Sequence, residues 1–145
     1  YDHVSRLIDK YQKAERDLLY YMMQDKKYAM EYEAKAGYMY DKVNRLIASY
    51  IIDYYRQYVV LEIADLISMI DDDEIVKRIL EISSQHLPKE TSNQAIDDYI
   101  KIIQEKKRKQ ENRTILKDPI LRVYMVSRGI VWNNMKQHLK NRLRN

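Results

Sequence analysis

The chain has no cysteine and no phenylalanine, and its 145 residues include only two glycines and two prolines. Without cysteine there is no disulfide framework and no thiolate metal site. So few glycines and prolines argue against tight turns and sheet-rich architectures. They also leave no glycine-rich phosphate loop and no nucleophile elbow. No run of about 18 uncharged apolar residues occurs, so no membrane span is expected, and no signal peptide is legible. The expected setting is soluble, either intracellular or inside a nucleoprotein particle.

Charged residues supply 33% of the chain and hydrophobic residues 46%, closely interleaved. That composition belongs to helices with one wet face and one dry face, so the expected fold class is all-α. The expected architecture is a helical bundle of long amphipathic helices, completed by association with other subunits. Tyrosine replaces phenylalanine as the aromatic residue: there are 14, of which 12 fall within residues 1–58. A ring that also carries a hydroxyl suits half-buried positions, either at an interface or at the wet edge of a thin core.

A heptad frame runs from Val4 to Tyr50. One set of positions reads Val4, Tyr11, Leu18, Asp25, Tyr32, Met39 and Leu46; the other reads Ile8, Glu15, Met22, Ala29, Ala36, Val43 and Tyr50. All but Glu15 and Asp25 are apolar or tyrosine, at the alternating spacing of a helical seam. Residues 1–70 therefore form either one long helix or, preferably, a hairpin of two helices meeting near Asp25–Lys27 or Gly37. Asp71 with Glu74 makes a capping box for a helix through about Gln85, and Pro88 closes that segment. Thr91 with Gln94 opens another helix through about Lys109. Residues 71–117 thus hold two shorter helices and a basic connector. Asp118 and Pro119 form an N-cap followed by proline at the first helical position, so 118–145 is expected as a basic amphipathic C-terminal helix within one overall domain.

Charge is divided unevenly along the chain. Residues 1–37 are neutral overall, residues 38–100 carry six basic and 12 acidic side chains, and residues 101–145 carry 13 basic and three acidic ones. The densest run is Lys106, Lys107, Arg108 and Lys109, followed by Arg113. On the expected last helix, Arg122, Lys136, Lys140 and Arg144 gather on one face, with Gly129 among them, opposite Ile120, Tyr124, Val131, Met135 and Leu139. These nine cations are the candidate nucleic-acid-binding residues, since such clusters attract phosphate through counterion release without reading bases. Lysines at a helix end also favour the dipole there, which accounts for Lys106 and Lys107 but less well for the later excess.

No catalytic residue, metal site or cofactor is expected. His3, His86 and His138 are scattered, and the Glu-x-x-His pairs of a bundle metalloenzyme are missing. The run Asp71–Glu74 could bind a hard cation, but a helix start explains it more simply. Asp97 and Asp98 sit in a first turn and take the same explanation. Arg6, Lys10 and Lys13 pair with nearby Asp9, Glu15 and Asp17. Tyr20, Tyr21, Tyr28 and Tyr40 could stack on bases, although helical tyrosines more often pack against protein. No short glycine-containing turn marks a helix-turn-helix.

In character the chain resembles helical nucleoprotein or filament coat subunits. That resemblance implies a non-enzymatic protein that self-associates and holds nucleic acid by its phosphates, with duplex DNA favoured and RNA possible. The alternative is a helical accessory or scaffold subunit of a multiprotein complex, with no nucleic-acid contact. Its basic end would then dock on an acidic protein surface.

Overall fold

The computed structural model describes residues 9–117, 119, 120 and 123, with the side chains of 114–117 excepted. Among them it shows six helices and no strand: α1 (Lys10–Gln24), α2 (Lys26–Lys35), α3 (Lys42–Gln57), α4 (Ile63–Ser68), α5 (Asp73–Ser83) and α6 (Asn93–Lys117). The chain divides into two compact units, Tyr1–Lys107 and Arg108–Asn145. In the second unit α6 continues to Lys117, and Pro119, Ile120 and Val123 are helical.

Aspartates set the helix starts. Asp9 accepts from the Gln12 amide at 2.8 Å, Asp25 from Lys27 at 2.9 Å and Asp41 from Asn44 at 2.9 Å, each satisfying an otherwise orphaned N–H. The cap of α5 is Asp72, not Asp71. Its carboxylate reaches the amides of Glu74 and Ile75, which leaves Asp73 and Glu74 in the first turn to complement the dipole. At α6 the cap is Ser92, not Thr91; its Oγ accepts from Ala95 N at 3.1 Å.

Among the described residues, 9–70 hold four helices where one or two were expected over 1–70, and the seam is interrupted at both candidate points. Asp25 takes an extended backbone, ends α1 through its own N–H to Tyr21 O, and starts α2 with its side chain. Gly37 adopts φ +66°, donates to Tyr32 O at 2.8 Å and closes α2. A side chain there would be strained whatever the space around it. α6 in turn runs past the expected end at Lys109 to Lys117, since residues 110–117 contain neither glycine nor proline.

The first unit closes its own core. Leu18, Met22, Ala29, Tyr32 and Met39 from the seam are buried together with Ile47, Ile51 and Tyr55 of α3, Leu66 of α4, Ile75, Ile79 and Ile82 of α5, and Ile96, Ile100 and Ile103 of α6. The tyrosines work as apolar rings with anchored tips. Tyr55 donates to Met22 O at 2.7 Å, Tyr21 to Pro88 O at 2.9 Å and Tyr20 to Leu87 O at 3.5 Å. Tyr21 also packs edge-on against Tyr20 and stacks with Tyr99, ring centroids 5.2 and 6.2 Å away. Burial, with Asp17 adjacent, pushes the Tyr99 phenol up to about 12.

Glu15, the other polar seam residue, is buried with only 2% of its surface exposed. Its two carboxylate oxygens accept from Tyr40 N at 2.6 Å, Asn44 Nδ2 at 3.0 Å and Asp41 N at 3.3 Å. Asn44 and Asp41 in turn accept from the Arg78 guanidinium at 2.9 and 3.2 Å, and Gln12 donates to Asp41 at 3.0 Å. This network ties α1, the start of α3 and α5 together. Burial raises the Glu15 pKa above its ordinary value, while the bonds from Asn44, Tyr40 and Asp41 pull it down.

Candidate nucleic-acid interface

α6 carries five of the nine candidate cations, and they do not form one patch. A helix turns about 100° per residue, so Lys106, Lys107, Arg108 and Lys109 are distributed around its axis. Lys106 and Lys107 belong to the first unit; Arg108, Lys109 and Arg113 belong to the second. Lys107, Arg108, Lys109 and Arg113 are exposed. Lys106 is half-buried, and its Nζ sits 4.5 Å from the centroid of the Tyr40 ring and 4.9 Å from that of Tyr11. The expected basic connector is thus a stretch of continuous helix, and its first lysine is held between two aromatic faces. Arg122, Lys136, Lys140 and Arg144 lie outside the described residues, as does the expected sorting of the last helix into faces.

A second cation–aromatic arrangement has no counterpart in the sequence reading. Between Gly37 and α3 the side chain of Met39 is buried, while Tyr38 and Tyr40 on either side of it are 38% and 45% exposed. Arg45 donates from Nε to Met39 O at 2.9 Å and from Nη2 to Tyr40 O at 3.0 Å, and its guanidinium lies 4.4 Å from the Tyr38 ring centroid. Lys10 Nζ lies 5.0 Å from the Tyr11 ring centroid and 3.3 Å from Glu105. The alternation Tyr38-Met39-Tyr40 after a glycine was the available signal. Of the four tyrosines considered for stacking, Tyr20, Tyr21 and Tyr28 are core residues, and Tyr40 is exposed.

A groove of about 670 Å³ is lined by Arg16 of α1 with Asp73, Val76, Lys77, Leu80, Glu81 and, just past α5, Ser84. Both signs of charge line it around a 45% exposed leucine, Leu80, and Arg16 approaches Glu81 at 3.9 Å. Tyr58, Val59 and Val60, just beyond α3, are also exposed. Among the described residues no three His, Asp or Glu side chains gather at metal-binding distances, and no helix is long and apolar enough to cross a membrane.

No protein-family profile matches the chain. It is similar to a DNA primase from Staphylococcus epidermidis, 30% identical over 99 residues, which cover 66% of this chain. They span 16% of the primase, so the likeness is to a part of that protein.

Proposed function

We propose that this chain is a non-catalytic helical module of a DNA primase-like protein, one that attaches the protein to its partners on DNA. The observation that supports this most is the 99-residue likeness to one-sixth of a DNA primase. The surface described above fits such work. A groove with both charge signs and an exposed leucine, and the exposed run Tyr58–Val60, suit contact with protein better than with a polyanion. This is the accessory-subunit alternative of the sequence reading, now given a parent activity.

A competition assay tests it. An excess of the purified chain, added to templated priming in an extract of its source cells, should occupy the partner and reduce priming, while making no primer on its own. Primer synthesis by the chain alone would overturn the non-catalytic assignment; undiminished priming at saturating chain would overturn attachment.

A second reading keeps direct phosphate contact, and the exposure of Lys107, Arg108, Lys109 and Arg113 favours it. Lys109 and Arg113, at i and i+4, share a face of the helix, and two such contacts predict that affinity for random duplex DNA falls about tenfold between 50 and 200 mM salt. A gel shift at both salts measures this, and a salt-independent shift would exclude it. The finer coat-like reading rested on an unburied seam. Among the described seam residues, all but Asp25 and Leu46 are buried or half-buried within the chain itself, which leaves self-association without that support.

A further inference from the structure

The tyrosines and cations around the α2–α3 turn form a continuous ladder. Arg45 lies over Tyr38 and is bonded to the backbone carbonyls of Met39 and Tyr40. The Tyr40 ring faces Lys106, Lys106 also faces Tyr11, and Tyr11 faces Lys10. Every member belongs to the first compact unit. Rings and cations therefore alternate along one run of contacts: Tyr38 and Arg45, then Tyr40, Lys106, Tyr11 and Lys10. Lysine and arginine keep their full charge when they lie on an aromatic face, and Tyr38 and Tyr40 still expose more than a third of their surface. Arg45 commits Nε and Nη2 to carbonyls, so it is fixed in place before any ligand arrives.

We infer that this ladder is a binding site for a single-stranded polynucleotide, with bases stacking on Tyr38 and Tyr40 and phosphates meeting Arg45, Lys106 and Lys10. Three features select a single strand. Stacking needs bases that are not already paired, and a duplex buries its base faces. The anchoring of Met39 in the core holds the two tyrosines outward on either side. The cations sit beside the rings, as required to follow a backbone from base to base. Three acids lie nearby, and all are engaged: Glu105 accepts from Lys10 and Tyr11, Asp41 from Arg78 and Gln12, and the buried Glu15 from Asn44 and the amides of Tyr40 and Asp41. The site rests on this geometry alone and does not depend on the likeness to primase.

The test is fluorescence anisotropy of labelled oligo(dT) and oligo(U) of about 12 nucleotides, within the span one small module covers. Binding at low salt is expected for at least one of them, and the tighter names the strand type. The double variant Tyr38→Leu/Tyr40→Leu should bind at least about thirtyfold more weakly, the loss of two stacked bases. The Tyr38→Phe/Tyr40→Phe pair, which keeps the rings, should bind within about twofold of the parent. Both variants are checked by circular dichroism for an unchanged helical fold. Three results would overturn the inference: no binding by the parent chain, undiminished binding by a folded leucine variant, or equal affinity for a duplex of the same length. None of these bears on the competition assay, in which the leucine variant should still reduce priming.

Discussion

Glu15 and the cations of α6 are both charged groups in a helical protein, yet they stand in opposite relation to it. Glu15 is enclosed, and every bond it accepts comes from another element or the loop before it. Lys107, Arg108 and Arg113 are exposed on one long helix. The difference teaches that charge in a seam position is structural information, whereas charge in a run is surface information. Replacing residues in each region separates the two roles.

The largest effect is expected from Glu15→Ala. It leaves Asn44 Nδ2 and the Tyr40 and Asp41 amides without their acceptor in a buried site, at a cost of about 3 kcal/mol. Urea denaturation measures it; a loss near zero would mean that water replaces the carboxylate. Gly37→Ala comes next, at about 1–2 kcal/mol, because alanine must adopt the left-handed backbone. The same denaturation series reads that cost, and a neutral result would mean that the α2–α3 turn relaxes.

A smaller, graded effect follows from the raised pKa of Glu15, which is due first to burial. The folded chain holds that proton more tightly than the unfolded chain does. The resulting stability is fully present below the ordinary pKa of 4.5 and is lost as pH rises through the folded value. The stability difference between the parent and Glu15→Gln should therefore shift against the parent from pH 4.5 towards neutrality; a pH-independent difference would contradict this. The smallest effect is expected at the exposed cations. Lys107→Ala with Arg108→Ala should change stability by no more than about 0.5 kcal/mol, while weakening any phosphate contact in the gel shift.

Much of the fold was legible because helix periodicity and capping are local. The junction at Asp25 was legible and Asp72 caps one residue after the expected Asp71, whereas Asp9 and Asp41 were not read as caps; the all-α class follows from the spacing of apolar residues. How far the chain covers its own seam was not legible, for a physical reason. A seam looks partnerless while its helix is imagined straight, but Asp25 and Gly37 fold it back on itself. The two polar exceptions in the seam were the informative positions: Asp25 breaks it, and Glu15 ties it to α3. The candidate interface was less legible. A dense basic string looks like a patch in one dimension, and the helix beneath it spreads the charges around its axis. The ladder of Tyr38, Arg45, Tyr40, Lys106, Tyr11 and Lys10 draws on residues 10–106, a juxtaposition that no local pattern contains.

The absence of phenylalanine has one more consequence. The segment between α5 and α6 contains no helix of its own, and the carbonyls of Leu87 and Pro88 are held by the hydroxyls of Tyr20 and Tyr21. Those two phenols act as a latch beside Lys89, an exposed trypsin site. Phenylalanine at position 21 would preserve the ring and open the latch, so Tyr21→Phe should be nicked after Lys89 sooner than the parent in limited digestion. One of the latch's two phenol oxygens would then set how readily this segment is cut.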